Sequence, residues 1–289
     1  MIEIIQSIII GGVQGISEFL PISSSGHLVL IPYVFKWNYN GLSFDIALHF
    51  GTLIAIVVYF WKDWVSIIAS AINSRQLKPN DKMPNDQVIN NKLMGNGKWE
   101  MGNSLYPPNL LWQILVASIP AAILGLLLDD YVEEYFHSPL FIAANLSIFG
   151  ILLWLVDKYS KRSKNISTIG YKQSLLIGCA QAVALFPGVS RSGITMTAAR
   201  AIGLNRKNAA RFSFLLATPA MTGAFLISAK DIVGQDLNLV FLSGVIASTI
   251  FGFFAIKYLL KYLEKGSFSV FVWYRIALAI IIVAVYFLR

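Results

Sequence analysis

The sequence predicts an all-α polytopic membrane protein, with six transmembrane helices plus two re-entrant helix–loop–helix hairpins in an inverted-topology repeat. Three observations carry that expectation. The 289 residues are 56% hydrophobic and only 13% charged, with a mean hydropathy of +0.64, whereas soluble domains carry about 25% charged residues. The apolar sequence falls into runs near the ~20 residues that a spanning helix needs. Two of the apolar regions are broken at mid-length by a proline followed by serine- and glycine-rich sequence.

In chain order, 1–35 is the first broken region, with Pro21 at its break. It lacks a basic leader and a small-residue cleavage site, so it reads as mature sequence rather than a cleaved signal. Spans follow at 42–61, 110–128 and 139–156; the second broken region, 170–205, has Pro187 at its break, and spans at 212–228, 239–257 and 270–288 complete the chain. Broken helices survive at membrane depth only where protein or a water-filled cavity surrounds the freed backbone groups. Both regions therefore read as hairpins that enter and return on one side, within a single domain over 1–289. The stretch 73–109, rich in Asn, Gly and Pro, reads as a polar loop without chemistry.

Charge sets the orientation. Lys158, Lys161, Arg162, Lys164 and Lys172 mark 157–172 as cytoplasmic, and the same topology puts the cations of 73–109 and Lys257, Lys261 and Lys265 inside. The acidic connection with Asp129, Asp130, Glu133 and Glu134 falls outside, and His137 there has no role assigned. The net charge of +8 is thereby explained by positive-inside loops, and nucleic acid is not an expected partner. Arg200, Arg206 and Arg211 read as anchors of the same kind. Trp61, Trp64, Trp112 and Trp154 lie near span ends, as interface belts require. The single cysteine, Cys179, excludes an internal disulfide and reads as a small buried apolar residue.

The broken regions enter from opposite sides and echo one another. GGVQGISEFLPISSSG (11–26) and IGCAQAVALFPGVSRSG (177–193) share a glutamine, an aromatic–Leu or Leu–aromatic pair before Pro, and a serine-rich turn ending in Gly. Such pairs mark inverted repeats whose site lies at the repeat interface. Gln14 and Glu18 share a helix face one turn apart, just before the break. An ionisable group at that depth is usually functional, though Glu18 could also brace backbone N–H groups of the turn. Their oxygens suit a hard cation, Mg²⁺ or Ca²⁺. Ser23, Ser24, Ser25 and Gly26 form a polar turn beside His27, and histidine is the usual base that activates a serine hydroxyl. In PGVSRSGIT (187–195), Arg191 offers a fork of donors that fits phosphate, and Ser190, Ser192, Gly193 and Thr195 could complete an anion nest. A structural salt bridge from Arg191 to Glu18 is the competing expectation. Asp45 and His49, one turn apart, are secondary candidates that packing explains equally well.

QGISEFLPISSSGHL (14–28) and FPGVSRSGIT (186–195) resemble the two motifs of the undecaprenyl-diphosphatase family, also known as bacitracin resistance proteins. AARFSFLLATPAMTGA (209–224) and YRIALA (274–279) also look familial, and the resemblance covers nearly the whole chain. It implies hydrolysis of undecaprenyl diphosphate to the monophosphate and inorganic phosphate, which recycles the lipid carrier of cell-wall synthesis and gives bacitracin resistance. It further implies Ser24 as nucleophile, His27 as general base or acid, Glu18 as the second acid of a metal-linked pair and Arg191 as the phosphate-binding arginine. Ser23 and Ser25 join the phosphate-binding set. A Mg²⁺ or Ca²⁺ dependence, the bacterial cytoplasmic (inner) membrane and a site open to its outer side are implied as well. Membrane lipids are partners by the same reasoning, and a homodimer stays open.

Two departures stand out: Gln14 takes the neutral option at the first acid position, and 73–109 is long for the family. A second lipid-phosphatase superfamily with SGH and SR motifs needs a histidine downstream of its arginine. His27, His49 and His137 all precede Arg191, so that rival fails. The alternative of a different class is a transporter or flippase of polyprenyl phosphate or another anion, because broken inverted repeats also build transporters.

Overall fold

The computed structural model describes residues 2–37, 41–73, 106–136, 138–161, 163–229 and 238–288. The expectations for most of the 73–109 loop, for His137 and for Arg162 lie outside these residues, as do those for the acidic side chains at 129–134. The described residues form ten α-helices and two short 3₁₀ turns, with one isolated β-bridge and no strand. The helices are α1 (Ile2–Phe19), α2 (Ser24–Phe35), α3 (Leu42–Asn73), α4 (Leu110–Phe136), α5 (Pro139–Tyr159), α6 (Tyr171–Ala182), α7 (Arg191–Ala201), α8 (Arg206–Ser228), α9 (Leu239–Tyr262) and α10 (Ser269–Leu288).

Seven of them are long and apolar enough to cross a membrane, one more than the six expected spans. The addition is α1. Its 18 residues rise about 27 Å, close to the ~30 Å hydrocarbon thickness. The other arms of the broken regions, α2, α6 and α7, have 12, 12 and 11 residues and reach only about 16–18 Å. Five expected spans are also too short at one end, α3 and α8 among them. Helix α3 runs on to Asn73, carrying Asp63 and Trp64 within it. Helix α8 starts at Arg206, because Asn205 caps it by accepting from the Asn208 N–H at 2.9 Å.

The arms are held by close helix crossings. Helix α1 packs most extensively on α9, and α6 packs on α4. Each crossing needs a glycine, since a Cβ at Gly15 would stand 2.5 Å from the Ser248 carbonyl oxygen, and one at Gly178 would overlap Ala117. Helix α5 lies along α10, α3 along α8, and the arms of each broken region touch each other. Lipid tails are as apolar as a protein core, so the outer faces expose Leu126, Leu127, Ile280 and Phe287, while Phe19, Phe60, Phe212 and Phe214 fill the interior.

The end of α8 that carries Arg206 and Arg211 is clamped by ion pairs. Asp157 on α5 accepts from Arg200 Nε at 2.9 Å, from Arg206 Nη2 at 2.7 Å and from the Phe268 N–H at 3.4 Å. Asp63 on α3 pairs with Arg211 and accepts from the Tyr106 hydroxyl. Burial pushes the Tyr106 phenol up, so its hydroxyl stays a donor at neutral pH. The expected role of these arginines as plain interface anchors is thus corrected. Arg200 is fully buried and shares Asp157 with Arg206, and Arg211 pairs with Asp63. Cys179 is likewise corrected, because it sits on the exposed face of α6.

Candidate active site

Two chain reversals meet at the heart of the molecule. In the first, α1 stops at Phe19 ahead of Pro21, and Ser23 takes φ 71°, ψ 103° before α2 begins. In the second, Pro187 and Gly188 precede Ser190, which takes φ 72°, ψ 111° before α7 begins. Positive φ is costly for any residue with a Cβ. Both serines adopt nearly the same strained conformation at corresponding places. Ser190 Oγ accepts from the Gly193 N–H at 3.2 Å and so caps α7.

The two reversals are tied directly. Arg191 Nη2 donates to Glu18 Oε1 at 2.6 Å. Ser192 Oγ donates to the Leu20 carbonyl at 3.0 Å, and the Gly188 N–H donates to Ser25 Oγ at 3.3 Å. Arg191 also reaches the Ala217 carbonyl at 3.4 Å and Met221 Sδ at 3.1 Å on α8. The structure therefore contains the salt bridge that the sequence offered as the competing role of Arg191. A guanidinium on a single carboxylate still has donors to present to an arriving anion.

Glu18 is the hub. Its Oε2 accepts from Ser24 Oγ at 2.8 Å and from Gln14 Nε2 at 3.0 Å. The same Gln14 nitrogen lies 3.0 Å from His49 Nδ1, which is 3.6 Å from Glu18 Oε2. His49 therefore belongs to the cluster. Asp45, one turn earlier on α3, is half-buried and takes no part in the Gln14–Glu18–Ser24 bonds. One oxygen is left over, Gln14 Oε1, buried without a partner. Among the described residues, no three His, Cys, Asp or Glu side chains gather as a cage. A hard cation is nonetheless commonly held by one carboxylate and a few neutral oxygens together with substrate phosphates, and Glu18 with Gln14 Oε1 fits that mode.

The remaining expected residues divide. Ser23 Oγ and Ser25 Oγ bond each other at 3.0 Å, and Ser190 Oγ and Ser192 Oγ do so at 3.3 Å. Thr195 is turned away from the junction, with its hydroxyl bonded to the Arg191 carbonyl at 2.8 Å and to Ser213 Oγ at 2.6 Å. No hydrogen bond joins Ser24 to His27 among the described residues. His27 instead bonds the Ser23 carbonyl and the Tyr274 hydroxyl, each at 2.7 Å.

Sequence reasoning missed three supports. Arg275 is fully buried and donates to the carbonyls of Leu146, Gly188 and Val189 at 3.0 Å each. Asn145 Nδ2 holds the Pro187 carbonyl at 2.8 Å, and Tyr274 holds His27. A lone formal charge within the apolar run of α10 was the available signal for Arg275.

The arrangement pairs an oriented hydroxyl, a carboxylate and an imidazole with an arginine and two serine turns, which suits phosphoryl transfer. Residues 7–281 match the family model described as bacitracin resistance protein BacA. A relative from Pelotomaculum thermopropionicum is 44% identical over 97% of both chains, and one from Moorella thermoacetica is 43% identical over 99% of both. A third, from Elusimicrobium minutum, is 43% identical over 96% of both. Each of these relatives carries the name undecaprenyl-diphosphatase.

Proposed function

The chain belongs to the bacitracin resistance protein family, and from that we propose how its site works as an undecaprenyl-diphosphatase. It is a multi-pass membrane enzyme that hydrolyses undecaprenyl diphosphate to undecaprenyl phosphate and inorganic phosphate. The product is the lipid carrier of cell-wall polymer synthesis. Its membrane is the bacterial cytoplasmic one, and the site opens to the outer side, a reading supported by the cation-rich segments at the opposite end of the spans.

The observation that carries the mechanism is the Arg191–Glu18 contact at the junction of the reversals. The diphosphate head enters there while the prenyl tail stays in lipid. Arg191 turns its free donors to the phosphoryl oxygens, with Ser23, Ser25, Ser190, Ser192 and the start of α7 around it. Glu18 holds the Ser24 hydroxyl by its proton, aligning the oxygen for attack on the terminal phosphorus. Glu18 takes that proton as the bond to the lipid phosphate breaks. A water, giving a proton toward His27, then displaces Ser24, which regains its proton from Glu18, and inorganic phosphate leaves. A divalent cation would be held by Glu18 and Gln14 Oε1, where it would neutralise charge on the phosphate oxygens.

The two reversals are read as re-entrant hairpins of an inverted repeat. Three observations support this: three of the four arms are short, Ser23 and Ser190 match in backbone angles, and the pairing of α1 with α9 mirrors that of α6 with α4. No observation favours the transporter alternative.

The test is phosphate release from a C55 diphosphate by purified protein, with Arg191→Ala alongside. That variant should keep its fold and lose at least about 100-fold in kcat, the scale of one removed charge-stabilising donor. Normal release by Arg191→Ala would sink the mechanism.

A further inference from the structure

His27 is the motif residue whose surroundings the motif leaves blank. A carbonyl oxygen only accepts, so the 2.7 Å bond to the Ser23 carbonyl fixes the ring proton on Nδ1. The lone pair is then on Nε2, and the Tyr274 hydroxyl, 2.7 Å away, donates to it. The two rings are nearly parallel, with planes 7° apart and centroids at 5.6 Å, an arrangement that sets the phenol oxygen beside Nε2. His27 is buried, while Tyr274 is 45% exposed, so the pair reaches from the interior toward a face of the molecule.

Tyr274 is itself well fixed. Its neighbour Arg275 grips the Gly188 and Val189 carbonyls of the second reversal and the Leu146 carbonyl of α5. Helix α10 is thereby anchored to one reversal and delivers a phenol to the histidine of the other. Nothing in the two serine motifs requires this residue.

We propose that Tyr274 is a positioning residue for the reaction, orienting the His27 imidazole and serving its Nε2 atom in both protonation states. The inference rests on the reading above that His27 handles the proton. A phenol both donates and accepts. It donates to the neutral ring, and when the incoming water gives up a proton the phenol takes it while passing its own to Nε2, and then accepts from the new Nε2–H. The phenol is neutral before and after that transfer, and the proton returns from Nε2 by the same path when phosphate leaves. A carboxylate in the same place would favour the charged ring but would bring a permanent charge into the membrane interior, which is costly. The phenol serves both states without one.

The experiment is Tyr274→Phe, which keeps the ring and its stacking and removes one oxygen. In phosphate-release kinetics, kcat should fall about tenfold, the scale of one lost hydrogen bond in the transition state, with KM within about twofold. The chain has three histidines, so ¹⁵N imidazole spectra are tractable, and a His27→Gln spectrum identifies the His27 signals. The wild-type His27 should show a protonated Nδ1 and a hydrogen-bonded, unprotonated Nε2. The Nε2 resonance should move in Tyr274→Phe while the His49 signals stay.

Wild-type kcat in Tyr274→Phe, or an unmoved Nε2 resonance, would overturn the inference. So would a fall in thermal midpoint with kcat per folded molecule unchanged. A wild-type protein that releases no phosphate would instead sink the functional reading, and the two failures are thereby told apart.

Discussion

At the scale of single residues, Gln14 separates two ways of organising the same cluster. As an amide it donates to Glu18 and His49 and leaves its oxygen unsatisfied. A carboxylate there would lose both donated bonds and place two acids one turn apart, which favours a divalent cation between them. Gln14→Glu should therefore lower the Mg²⁺ or Ca²⁺ concentration needed for half-maximal turnover by about tenfold, measured by titrating metal into EDTA-treated enzyme. An unchanged midpoint would mean that Gln14 Oε1 is no ligand. Ser23 gives a second prediction. Its positive φ costs of order 1 kcal/mol or more, and glycine adopts that conformation freely. Ser23→Gly should raise the thermal midpoint in detergent while slowing phosphate release, since the hydroxyl that partners Ser25 is gone. Equal activity would remove Ser23 from the site. These residues were legible in the sequence because polar groups inside apolar runs stand out. Their partners were not: that Ser24 bonds Glu18 rather than His27 depends on the direction in which α2 leaves the turn, which the sequence pattern does not encode.

At the scale of elements, the breaks at Pro21 and Pro187 were legible because proline removes a backbone donor and polar turns are rare at membrane depth. Helix lengths were less so. The real start of α8 depends on the Asn205 cap, and the charges that follow, Arg206 and Arg211, look like a loop until their carboxylate partners on α5 and α3 are seen. The close pairing of α1 with α9 depends on small residues whose spacing only a partner helix explains. Gly15→Ala would push a methyl to 2.5 Å from the Ser248 carbonyl oxygen and 2.7 Å from the Gly252 nitrogen. It should cost about 1–3 kcal/mol, read as a lower thermal midpoint, and should slow turnover by shifting Glu18, one turn along the same helix. A variant with unchanged midpoint would show that α1 can ride away from α9 freely.

At the scale of the whole molecule, the ion-pair clamps among the described residues gather at one end. Asp157 gathers α5, α7, α8 and the turn before α10, and Asp63 with Tyr106 gathers α3 and α8. Breaking a buried pair leaves an uncompensated charge, and Asp157→Ala strands Arg200, which has no exposure of its own. A loss of about 3–5 kcal/mol is expected, measured as a large fall in thermal midpoint or in folded yield. Stability near wild type would mean that the carbonyls around Arg200 suffice alone. The clamps also bear on how traffic runs through the protein. A carrier that exposes its cargo alternately to two compartments must open each end in turn, and here one end is riveted by two sets of charges. Opening it would strand several of them at once. The hydrolysis proposed above asks for no such opening: substrate and product can share one route to the junction of the reversals while the clamped end stays shut through the whole cycle.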